Sequence, residues 1–188
     1  MNFCKTFIFL FVTFLPCYSA TCDELKSYNF VIDQQGEIIE KHIQKHSKRL
    51  KTQRTISFVD YSKSINEKRF FVFDLNRREI IYSTFVGHSG YSGRTHPLDT
   101  SNTPNTKKTS VGLFKVGVQY YGRFGKSKKL HGLSKTNSNA YKRAIVAHSL
   151  EGSSVRDLYS WGCFTFFERD LDNVFKYMKK GTYLLAIK

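Results

Sequence analysis

Ile145-Val146-Ala147-His148-Ser149 and Ser160-Trp161-Gly162-Cys163, whose cysteine stands fifteen residues beyond the histidine, are the segments on which the reading of this chain turns. Ala144 to His148 is a short apolar run with β-branched residues, expected to be a strand that ends on an imidazole. Gly162 allows a backbone geometry that residues bearing a Cβ resist, and it leaves the sulfur of Cys163 open to approach. A strand that delivers an imidazole to a cysteine turn suits nucleophilic catalysis, because the thiolate reacts and the imidazole withdraws its proton. The spacing by itself leaves a second reading open: a capped strand histidine, and a cysteine that is buried or disulfide-bonded.

Working outward, Glu168 to Lys180 carries Leu171, Val174, Phe175 and Met178 at helical spacing. Acidic residues open that segment, Lys179 and Lys180 close it and Gly181 follows, so a helix is expected just downstream of Cys163. Its positive end is expected to lower the Cys163 pKa, opposed in part by Glu168 and Asp170. Upstream, Arg54 to Tyr61, Arg69 to Leu75, Ile80 to Val86 and Val111 to Val118 read as strands, and Thr182 to Ile187 as a terminal one. Asn76 to Glu79 makes the second and third of these a hairpin. Gly87 to Ser110 is a long polar connection of the kind that often carries function. Asp23 to Ile32 and Glu37 to Leu50 read as amphipathic helices. His42 and His46 in the second have the spacing of a metal pair, but no third ligand follows, so a solvated basic face is the better reading.

Composition bounds the class. The chain has 188 residues, 30 Lys+Arg against 15 Asp+Glu, 17 Phe, 11 Tyr and three Pro. That much apolar surface excludes a disordered polycation and implies one domain with a packed core. A charge of +15 calls for an anionic partner. The N-terminus narrows the choice, because Lys5, the apolar run Thr6 to Pro16 and Cys17-Tyr18-Ser19-Ala20 make residues 1–20 a secretory signal peptide, too short to span a membrane. Pro16 and Thr21 argue against a lipid anchor on Cys17 or Cys22. Removing the leader takes away one charge, leaving +14 on an exported domain. Cell-wall carboxylates are then likelier partners than nucleic acid. Of four cysteines, Cys22 and Cys163 remain, and in an oxidising compartment they could pair.

Further segments accompany the His148 to Cys163 stretch in a fixed order. They are Phe70-Phe71-Val72-Phe73-Asp74-Leu75, Gly87-His88-Ser89-Gly90, Ser101-Asn102-Thr103-Pro104, Thr109-Ser110-Val111-Gly112-Leu113-Phe114, Tyr121-Gly122-Arg123-Phe124-Gly125, His131-Gly132-Leu133, Asn139-Ala140 and Arg143-Ala144-Ile145. Together they resemble the L,D-transpeptidase catalytic domain of the YkuD type, and more closely its murein L,D-transpeptidase branch, over about residues 56 to 188. The resemblance implies a mainly β fold with flanking helices (α+β) and mixed β-sheets. It divides the chain into a signal peptide (1–20), an N-terminal helical segment (21–53) and a catalytic domain (54–188). Cys163 would be the nucleophile, His148 the general base, and the backbone carbonyl of Ser149 would orient the imidazole. The N–H groups of Gly162 and Cys163 would face the oxyanion.

His88, Ser160, Trp161 and Arg143 are candidate substrate contacts, with Lys107 and Lys108 as further basic candidates. No metal or other cofactor is expected. The implied reaction is acyl transfer from a peptidoglycan stem tetrapeptide with release of D-alanine, by a monomer in the periplasm or outside the cell. Hydrolysis by the same pair, or a non-catalytic basic wall-binding protein with a Cys22–Cys163 disulfide, are the alternatives. Phe164 and Ser149 depart from the branch's usual proline and glycine, and Phe164 is expected to narrow the cleft.

Overall fold

The computed structural model describes residues 34–188; the expected signal peptide, the Asp23 to Ile32 helix and Cys22 lie outside them. Eight strands form one mixed sheet: β1 (Thr55–Asp60), β2 (Phe70–Asp74), β3 (Glu79–Thr84), β4 (Gly112–Gly122), β5 (Gly125–Gly132), β6 (Val146–Leu150), β7 (Phe164–Phe167) and β8 (Tyr183–Ile187). Their spatial order is β3-β2-β1-β8-β4-β5-β6-β7. All pairs are antiparallel except β1 with β8 and β6 with β7. Residues 34–43 are helical (α1) and lead through a 3-10 turn into α2 (Ser47–Leu50). The second long helix, α3 (Glu168–Tyr177), follows β7 directly.

Both faces of the sheet centre are covered, which is why β2 reads as an unbroken buried run rather than alternating. On the inner face Val59, Val72, Phe114, Leu130, Ala147, Phe164, Phe166 and Leu184 pack against Leu171, Val174 and Phe175 of α3. On the outer face Ile56, Phe58, Phe71, Phe73, Leu113 and Leu185 pack against Ile39 of α1 and Leu50 of α2. The carbonyls at the end of α3 have a dedicated donor: Lys128, buried on β5, gives its ammonium to Phe175 O at 3.1 Å and Met178 O at 2.6 Å.

Two strands escape the sequence reading. β5 (GKSKKLHG) is polar because one of its faces is not core, and β7 is a four-residue run too short to separate from the helix behind it. β7 also alters two expectations about Cys163. Four residues of strand, roughly 13 Å, stand between the sulfur and α3, so the helix end does not tune the thiol. Phe164 is fully buried and stacks in the inner core against Tyr61 and Phe114, and so does not enter the cleft.

Candidate active site

The β6–β7 register sets the geometry. His148 lies opposite Thr165 and Ala147 opposite Phe164, which places Val146 opposite Cys163. Residues opposite one another in a sheet share a face and residues two apart on a strand do too. His148 on β6 and Cys163, the residue just before β7, therefore lie on the outer face, offset by one same-face position. The imidazole Nδ1 is 2.8 Å from Ser149 O. That contact requires Nδ1 to carry the proton, so Nε2 keeps its lone pair. The ring is buried and stacks on Phe124 from the β4–β5 turn, centroids 4.4 Å apart.

Among the described residues Cys163 has no disulfide partner; its side chain is partly exposed, with Sγ 3.7 Å from Ala144 O. Ala144 holds a left-handed backbone (φ 53°), a conformation uncommon for a residue with a Cβ. Burial pushes the Cys163 thiol up, against the opposing pull of the Val146 N–H and the Arg143 charge. Burial also holds His148 below the usual histidine range, partly offset by Ser149 O. Both shifts favour the uncharged pair, a neutral thiol beside a neutral imidazole.

The nucleophile turn is tightly held. Ser160 Oγ donates to Cys163 O at 2.7 Å and accepts from Gly162 N–H at 3.2 Å. Gly162 has φ 111°, and a Cβ there would meet Lys108 O at 2.7 Å. Of the two expected oxyanion donors, the Gly162 N–H thus already has a partner within the turn. Ser160 is likewise a turn-holding residue, not a free substrate contact. Arg143 spans the long loop, giving Nη1 to Ser101 O and Nη2 to Lys108 O at 2.5 Å. It clamps that loop over the Cys163 turn. Trp161 is 63% exposed beside the nucleophile, with the Lys107 ammonium 4.0 Å above its ring.

His88 lies elsewhere than expected. It is fully buried, with Nδ1 2.7 Å from Arg69 Nη2 and Nε2 2.9 Å from Gly93 O, so it cannot touch a substrate. Arg69, also fully buried, donates twice to Val86 O and once to Lys63 O. His88 O in turn accepts from Ser160 N at 3.0 Å, and Ser89 bridges to Ser160. This buried pin fixes the first residues of the long loop against the Cys163 turn. Arg69 and Phe124 were given no role from sequence. A charged residue opening an apolar strand was the signal available for Arg69; Phe124 stood within the Tyr121 to Gly125 motif, but its partner His148 is distant in the chain.

A family model described as the L,D-transpeptidase catalytic domain matches residues 32–187. Among solved structures, the helical cell shape determining protein Pgp2 of Campylobacter jejuni (a mutant form) is 14% identical, with a TM-score of 0.50 over 71% of this chain and 47% of that one. An L,D-transpeptidase of Stackebrandtia nassauensis is 11% identical (TM-score 0.46; 73% and 57% covered). One of Mycobacterium smegmatis is 10% identical (TM-score 0.45; 72% and 59% covered). The matches thus span about half of those chains. No curated protein matches.

Proposed function

Because the chain belongs to the L,D-transpeptidase catalytic domain family, we propose that it is a cysteine-dependent acyltransferase acting on peptidoglycan stem peptides. The observation that carries this reading is the placement of His148 and Cys163 on one face of adjacent strands, with Nδ1 anchored on Ser149 O. Cys163 Sγ attacks the carbonyl at the L-centre of the third stem residue as His148 Nε2 takes the thiol proton. Negative charge gathers on the carbonyl oxygen, where the Cys163 N–H is the donor at hand. The tetrahedral centre collapses, the C–N bond to D-alanine breaks, and the imidazolium returns its proton to the leaving amine. A thioester remains. An amine of a neighbouring stem then attacks it, His148 takes that proton, and the thiol is regenerated. The peptide bond broken supplies the energy for the one made.

An exported domain with a charge of +14 suits a polymer rich in carboxylates, and the family suits an envelope location. Among the described residues no helix is long and apolar enough to cross a membrane. The test is to incubate the mature protein with tetrapeptide muropeptides and follow D-alanine release and product masses. Dimeric products support transpeptidation, and tripeptides alone indicate that water is the acceptor. Cys163→Ala should abolish both; identical products from wild type and variant would sink the proposal.

A further inference from the structure

The nucleophile turn has a second side, which meets the long loop. Trp161, the only tryptophan of the chain, is 63% exposed there, and Tyr91 of the loop is 59% exposed. The Lys107 ammonium bridges them, 4.0 Å from the Trp161 ring centroid and 5.3 Å from that of Tyr91. Beside the rings lies an open hollow of about 250 Å³ lined by Gly90, Tyr91, Tyr159, Ser160 and Trp161. Its lining is three aromatic rings, a glycine and a hydroxyl, with no aliphatic side chain. Large exposed rings rimmed by polar groups mark a binding surface.

Buried contacts hold the loop side of this surface in place. Ser89, fully buried, accepts the Tyr91 N–H on its Oγ at 3.1 Å and donates the same hydroxyl to Lys107 O. Tyr159 stands edge-on to the buried His88 ring, centroids 5.5 Å apart, and its hydroxyl donates to Arg94 O. Lys107 has a left-handed backbone (φ 55°), a costly conformation for a residue with a Cβ, which the Ser89 hydroxyl helps to retain. Among the described residues no carboxylate pairs with its ammonium. Rings fixed in this way lose little freedom when a ligand settles on them.

We infer that Trp161, Tyr91 and Lys107 form a saccharide site, which seats an N-acetylated amino-sugar ring of the glycan strand while the stem it carries reaches Cys163. The choice of polymer rests on the acyl-transfer reading above; the site itself rests on the rings. A pyranose ring presents polarised C–H groups on its faces, which the negative faces of aromatic rings attract. Its hydroxyl and acetamido oxygens lie at the edge, where they accept from an ammonium. A hollow of rings and polar atoms without aliphatic side chains matches that division of the ligand. Reach agrees with it: Trp161 is two residues from Cys163, at most about 7 Å of extended chain, and the two stem residues ahead of the acyl centre span about as much.

Trp161 supplies the readout, because the protein's tryptophan emission comes from it alone. The mature protein is titrated with the tetramer of N-acetylglucosamine, which carries no peptide and cannot be turned over. The oligosaccharide should change the emission to saturation. Tyr91→Ala should weaken that binding by about 2- to 10-fold, and Tyr91→Phe, which keeps the ring, should retain it. A kinetic arm compares D-alanine release from a disaccharide tetrapeptide and from the same tetrapeptide without sugar. Wild type should favour the first in kcat/KM, with the preference reduced by Tyr91→Ala and kept by Tyr91→Phe. No saturable emission change, a titration that Tyr91→Ala leaves unaltered, or a wild type indifferent to the sugar overturns the saccharide site and has no bearing on acyl transfer. Saturable binding that Tyr91→Ala weakens, with no D-alanine released from either donor, removes the acyl-transfer reading and leaves the site standing.

Discussion

The outer face of the sheet has two halves. Over β2, β1, β8 and the start of β4 it presents Phe71, Phe73, Ile56, Phe58, Leu185 and Leu113, and α1 and α2 cover it. Over β5, β6 and β7 it presents Lys129, His131, Val146, His148, Cys163 and Thr165, and in place of α1 and α2 it meets loops, the β4–β5 turn and the short 3-10 helix Val155–Leu158, whose Leu158 O accepts from Thr165 Oγ1. The backbone ladder runs through both halves without interruption. The difference is in the side chains and in what covers them. Covering apolar residues contributes stability through removal of area from water. The polar row forgoes part of that gain; in it the thiol is partly exposed, while the imidazole lies buried against Phe124.

Four changes break or sharpen this division. Cys163→Ala is expected to lower D-alanine release by about 10⁴-fold, equal to roughly 5 kcal/mol of barrier, with an unchanged thermal midpoint. A large fall in the midpoint would mean that the open half also carries stability. Phe58→Ala acts in the opposite sense, removing a fully buried ring from the covered half. It should cost about 3 to 5 kcal/mol in urea denaturation, while the molecules that remain folded keep their rate per thiol.

His88 belongs to the pin behind the open half, and its effect is on acid stability. Burial first, and the Arg69 charge second, push its pKa from 6.5 down to about 4. The unfolded chain takes up a proton near 6.5 that the folded chain refuses until about 4. Stability is therefore complete above about 6.5 and is lost as the pH falls toward 4, by about 3 kcal/mol. His88→Gln should flatten that slope between pH 7 and 4.5; an unchanged slope would place the acid sensitivity elsewhere. The smallest effect concerns His148, whose pKa is also lowered by burial. The acidic limb of kcat/KM should accordingly lie below 6.5, and a limb above 6.5 would mean that the imidazole is charged in the resting site.

Sequence carried the covered half well. Apolar runs at β1, β2 and β8 and the spacing of Leu171, Val174 and Phe175 in α3 announce burial, because hydrophobic patterning is a local signal. The open half was legible only where its motif was dense. His148 and Cys163 stood out by residue type and spacing, and the Ser149 carbonyl followed from the family resemblance. β5 and β7 were missed: one looks like a basic loop, the other like the approach to a helix.

What the sequence determined by itself was the family, the apolar strands and α3, and it singled out His148 and Cys163 as the candidate pair, since each of these signals is carried by residue type and local spacing. The tertiary structure decided which groups surround that pair. It buried His88 against Arg69, laid Phe124 over the imidazole, engaged the Gly162 N–H with Ser160 and turned Phe164 inward. These placements follow from strand register and from contacts between residues as far as 103 positions apart, as Tyr61 and Phe164 are. Register is a cooperative property of the whole sheet, settled only when both of its faces have been packed.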